Sequence, residues 1–224
     1  MSHSVVQTLI WKDLRLHRMH IALSIAGGGL ALALLQIKSE MAFIAGSTWF
    51  FVSLVVLGSM LPVSNLINER KKQNVAFLMS LPISAVQYAT AKLASTVGLF
   101  LVPWLTLVIA GTSVIISRSD IPDGLIPALV ALCGFTFVGF CAIAGAAIVS
   151  ESEGVTIAAT VICNSTYGLS WYMLIREPAV RHDLGSAVPV WSRFMVTLLG
   201  AEFAAIALIL GIVFYLQSRK RDFV

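Results

Sequence analysis

Residues 68–92, NERKKQNVAFLMSLPISAVQYATAK, decide how the rest of the chain is read. Glu69, Arg70, Lys71 and Lys72 stand in succession, and an apolar patch of Val75, Phe77, Leu78 and Met79 follows. The turn Ser80-Leu81-Pro82 comes next, and Ser84 with Gln87 forms a capping box that opens a new helix. Apolar runs of membrane-spanning length lie on both sides of this polar island. A charged, helix-forming insert with an apolar patch, held at a membrane face between two spans, is suited to docking on a soluble partner.

Composition sets the class. The 224 residues are 58 % hydrophobic and 12 % charged, with a mean hydropathy of +0.91. Soluble domains carry about 25 % charged residues, so an all-α polytopic membrane protein is expected, with no soluble domain of useful size. The formal charge of +4 is spread over loops and reads as a topology signal, not as nucleic-acid affinity. Cys133, Cys141 and Cys163 fall inside apolar runs without CxxC spacing or a neighbouring histidine, and are expected to be buried small side chains. No cleavable signal peptide is expected, because Lys12, Asp13, Arg15 and Arg18 precede the first apolar run.

Residues 4–18 form a basic amphipathic lead-in, with Val6, Ile10 and Leu14 on one face and Lys12, Arg15 and Arg18 opposite. It is expected to lie in the membrane interface and to meet anionic lipid head groups. Six spans are expected, over about 20–37, 41–67, 92–117, 123–149, 154–175 and 194–217. Gly27, Gly28 and Gly29 mark a close helix approach or a bend in the first, and Pro62 a kink near the end of the second. The third is expected to begin as a helix near Ser84 and to enter lipid near Lys92, with residues 68–91 as a cytoplasmic coupling region. With the amino terminus inside, ten basic residues lie on the cytoplasmic side (12, 15, 18, 70, 71, 72, 92, 219, 220 and 221). Five lie outside (38, 118, 176, 181 and 193), so both termini are expected in the cytoplasm. The outer segment 176–193 reads equally as short helices dipping into the outer leaflet or as an interfacial loop anchored by Trp191.

Catalytic signatures are absent from the sequence: no HExxH, P-loop or Rossmann fingerprint, and His3, His17, His20 and His182 sit at termini or interfaces. The chain itself is therefore expected not to be an enzyme and to hold no metal. Glu202 is an acid inside the sixth apolar run, so it should face the bundle interior or a cavity, where it would line a substrate path. The plainer alternative is a hydrogen bond to a neighbouring helix such as the one carrying Asn164, Ser165 and Tyr167. Small pairs, Ala142 with Ala146 and Gly200 with Ala204, permit close helix packing.

The lead-in, two spans, Glu69-Arg70-Lys71-Lys72, then Phe77-Leu78-Met79-Ser80-Leu81-Pro82-Ile83-Ser84 and Ala91-Lys92-Leu93, together resemble the permease subunit of ABC-2 type transporters, the type V exporter-like family. The resemblance implies a single permease domain over residues 1–224 that pairs with a second permease chain, identical or related, in the cell (inner or plasma) membrane. It implies two copies of a separate ATP-binding subunit, which hold ATP and magnesium, while this chain binds no cofactor. Glu69–Met79 would be the coupling element, with Phe77, Leu78 and Met79 as the apolar plug, Arg70, Lys71 and Lys72 beside it, and Pro82 in the turn. Glu69 would tie the element to the amino-terminal helix or to the partner. The 176–193 segment would correspond to the family's outer re-entrant region, its shortness implies a peptide, lipid-like or small hydrophobic cargo, and the resemblance implies export. Two other readings stay open: a gradient-driven transporter or channel, and a non-transporting immunity or assembly protein.

Overall fold

The structure, a computed structural model, describes the backbone of residues 2–67 and 85–219, and the side chains of residues 11–67 (except 14) and 90–219. The described residues form helices joined by short turns, with no strand among them. These are α1 (Ser2–Leu35), α2 (Glu40–Pro62, running into a π-turn over Val63–Ile67), α3 (Ala85–Ser117) and α4 (Leu125–Ser150). After them come α5 (Glu153–Arg176), the six-residue α6 (Pro178–Asp183) and α7 (Arg193–Arg219). Five helical stretches are long and apolar enough to cross a membrane: Arg15–Leu35, Glu40–Ile67, Thr90–Ser117, Leu125–Ser150 and Arg193–Arg219. The described residues are thus all-helical, with the make-up of a multi-pass membrane protein. The stretch expected as the fifth span does form a helix, the 24-residue α5, but Thr156, Thr160, Asn164, Ser165, Thr166 and Ser170 interrupt its apolar run and it falls short of the other five.

The lead-in and the first span are one helix. α1 runs unbroken over 34 residues, roughly 51 Å at 1.5 Å per residue. The glycine triplet serves close approach and not a break. A Cβ on Gly28 would collide with Leu107 of α3, and one on Gly27 would press on Ser53 of α2, whereas Gly29 faces open space. At Pro62 α2 passes into the π-turn, where the missing proline N–H loosens the ladder and five-residue spacing takes over.

α4 is the hub, touching α2, α3, α5 and α7. It holds no charged residue, and its glycines let neighbours approach on several sides. A Cβ on Gly145 would meet Val213 of α7 at 2.8 Å, and Gly139 lies against Cys163 of α5. Phe140 of α4 stacks on Phe100 of α3 with centroids 4.2 Å apart, among buried Leu57, Leu61 and Leu99. In lipid such packing stabilises through dispersion and fit rather than through release of water. Gly200, expected in a packed pair, has open space around it. We call the end where α1 starts and residues 68–84 leave α2 basal, and the other end apical.

Candidate functional site

The basal end is held by a buried polar knot. Asp13 of α1 and Lys92 of α3 are 1 % and 2 % exposed, and Lys92 Nζ donates to both carboxylate oxygens of Asp13 at 3.1 and 2.9 Å. Ser95 Oγ donates to Asp13 Oδ2 at 2.8 Å, so a third donor satisfies the carboxylate. His17, one turn along α1, is buried and donates through Nδ1 to the Asp13 carbonyl at 3.0 Å. Asn65, in the π-turn of α2, donates to Thr96 Oγ1 at 2.7 Å, and Thr96 in turn donates to the Lys92 carbonyl at 2.7 Å. The two helices that bracket residues 68–84, α2 and α3, are therefore tied to each other, and α3 to α1, close to that segment. Breaking such an ion pair is costly because the surviving charge has no water to turn to.

Residues 68–84 lie outside the described residues, and with them Glu69, Arg70, Lys71, Lys72, Phe77, Leu78, Met79 and Pro82, and the coupling helix expected there. The knot itself escapes a reading that stops at the basic lead-in. Continued through residue 31 at 100° per residue, Asp13, His17, Ser24, Gly28 and Ala31 fall within one narrow arc of α1, polar and small where a lipid-facing stripe would be Leu or Ile. All five are buried. That arc is the signal that would have found Asp13.

The apical half is built differently. α2 and α5 lean on α4 but diverge from each other, leaving a cleft of about 610 Å³. Phe43, Phe51 and Val55 of α2 form one wall, Tyr167 and Trp171 of α5 the other, and Leu129 of α4 the floor. Ser47 and Thr48 add the few polar groups. Toward the middle of the bundle the gap narrows where Asn164 Nδ2 of α5 donates to Ser59 Oγ of α2 at 3.2 Å. At the apical end, Val180 of α6 is buried with Leu174, Ala128 and Met195, and Val180 and Leu184 line the cleft. The segment 176–193 thus packs on the bundle instead of hanging free. Gly124 N–H donates to the Ser186 carbonyl at 2.9 Å, which pins that segment to the start of α4.

Glu202 is 7 % exposed and its Oε2 has no hydrogen-bond partner among the described residues. It lies against Gly134 of α4, where a Cβ would overlap the carboxyl oxygen. It is not among the residues lining the cleft, nor is it bonded to Asn164. Arg118, between α3 and α4, donates to the carbonyl of Leu35 at the end of α1 and to Asp120. That hydrogen bond and charge hold the Asp120 carboxyl below its ordinary value. No group of three or more metal-ligating side chains occurs among the described residues. No protein-family model, no curated protein and no solved structure matches this chain.

Proposed function

We propose that the chain is the membrane permease subunit of an ABC-2 type transporter, exporting a peptide, lipid-like or small hydrophobic cargo. The observation that carries this reading is the basal knot. A loop that receives force from a moving partner needs a stiff mount, and the helices flanking residues 68–84 are locked by Asp13–Lys92–Ser95 and Asn65–Thr96. In this reading Glu69–Met79 is the coupling element, Phe77, Leu78 and Met79 enter a groove on the ATP-binding subunit, and Arg70, Lys71 and Lys72 frame the contact. Two ATP-binding subunits carry ATP and magnesium, and two permease chains pair in the cell membrane with all termini in the cytoplasm.

The apical cleft supports the cargo class. Its aromatic and aliphatic walls suit an acyl chain or a hydrophobic peptide segment, and few polar groups are present to hold a sugar or an ion. In this proposal α5 also crosses the membrane, as the fifth of six spans. Part of the polarity that lowers its hydropathy is turned toward its neighbours: Thr156 is buried, Asn164 bonds Ser59, and Tyr167 lies against Phe51 and Phe135.

Purification of the tagged chain from its native membranes in mild detergent tests the reading. The expected result is a near-stoichiometric ATP-binding subunit that is lost when Phe77 and Leu78 both become Asp. A chain that comes through alone, even after cross-linking, overturns it in favour of a gradient-driven transporter or a non-transporting binding protein.

A further inference from the structure

Glu202 has no part in the cleft or in the basal knot, yet it is the one acid buried deep within α7. Its setting is unusual for a carboxyl group. Gly134 leaves a notch in α4, and the carboxyl occupies the space that any side chain there would take. The wall of the notch is fixed: Trp104 Nε1 of α3 and Thr136 Oγ1 both donate to the carbonyl of Cys133, at 2.9 and 2.7 Å. Those donors are thereby turned to a backbone oxygen and not to the carboxyl.

Among the described residues, nothing near the notch supplies a countercharge. α4 carries no Asp, Glu, Lys, Arg or His, and its titratable groups are Cys133 and Cys141. The titratable groups of α3 are Tyr88 and Lys92 at its basal end, and Lys92 is paired with Asp13. On α6, Arg181 and His182 are exposed and Asp183 bonds His182. On α7 itself, Arg193 stands nine positions before Glu202, roughly 14 Å along the helix, and Tyr215 and Arg219 lie further off at the basal end. An ionised carboxylate without donors or a cation is costly in a membrane interior, whereas the neutral acid is tolerated.

We propose that the Gly134 notch makes Glu202 a proton-binding site. The carboxyl is held as the neutral acid while α4 and α7 are packed, and it releases H⁺ to water, leaving the carboxylate, only when that seam opens. The inference stands apart from the permease reading, since it needs no ATP-binding partner and no cargo.

A hydrophobic carbodiimide, dicyclohexylcarbodiimide, is the probe, because it partitions into lipid and adds to the protonated form of a carboxyl. The full chain in lipid nanodiscs is treated from about pH 5 to about pH 9 and mapped by mass spectrometry. The expected result is an N-acylurea adduct on Glu202 at neutral pH that falls at least about tenfold toward the alkaline end, while a water-soluble carbodiimide leaves Glu202 unmodified. Gly134→Ala should cut the Glu202 adduct by a similar factor by forcing the carboxyl out of the notch. Glu202→Gln, which copies the shape of the neutral acid, gives a second readout. The melting temperature of the native chain should fall relative to that of Glu202→Gln as pH rises. Absence of a Glu202 adduct at every pH, an adduct whose yield ignores pH, or parallel melting curves for the two proteins would each overturn the proposal.

Discussion

The basal and apical ends of the bundle solve opposite problems with the same helices. At the basal end α1, α2 and α3 are joined by charge and hydrogen bonds between fully buried side chains. At the apical end α2 and α5 stand apart over an apolar floor, and their closest polar link is the half-exposed Asn164–Ser59 bond. Buried polar pairs resist displacement because each partner, once alone, is stranded in a medium that cannot solvate it. Apolar walls in lipid exchange one greasy neighbour for another at little cost, so a cleft there can open, close or fill. The molecule is stiff where residues 68–84 attach and compliant where a hydrophobic cargo would sit in the proposed function.

Breaking the stiff end gives the largest expected effect. Lys92→Met strands the Asp13 carboxylate and should destabilise the chain by about 3–5 kcal/mol, read as a lower midpoint of unfolding in mixed detergent. Adding Asp13→Leu to Lys92→Met should recover most of that loss, since two apolar side chains leave no orphan charge. If the single and double variants unfold alike, the pair does not hold the basal end.

Those same residues show how far the sequence could be read. The long helices were legible because each carries an apolar run longer than a bilayer requires, and the helix expected near Ser84 is described from Ala85. Lys92 was legible as a boundary residue, but its partner was not, because Asp13 lies 79 positions away in a segment whose basic residues dominate its character. Pairing across that separation is set by how α1 crosses α3, where Gly28 lies so close to Leu107 that a Cβ there would collide with it. The cleft was invisible for a related reason: it is the space between two helices that do not pair, and no local pattern records such a gap. The interruption of α5 by polar residues is a local pattern, and it ranks that helix below the other five.

The smallest expected effect sharpens the comparison from the apical side. Arg118 clamps the end of α1 through the Leu35 carbonyl and is itself held by Asp120, which is exposed to water. Because the Asp120 carboxyl is held below its ordinary value in the folded chain, its contribution is complete above the ordinary carboxylate range. It fades as pH falls through the lowered value. Asp120→Asn should therefore lower stability slightly at neutral pH, with the difference from the native chain vanishing as pH falls through the lowered value. A large neutral-pH effect would mean that the apical end depends on polar pairs as the basal end does.

The most direct measurement of the central claim is the distance across the cleft, between spin labels at Thr48→Cys on α2 and Gly168→Cys on α5 of the full chain, purified with the ATP-binding subunit that the proposed function requires. Cys133, Cys141 and Cys163 are first replaced by Ala. The account predicts that a non-hydrolysable ATP analogue shifts this distance, and that the shift disappears in Lys92→Met, whose mount for residues 68–84 is broken. A distance that stays fixed while the partner binds and hydrolyses ATP would contradict it.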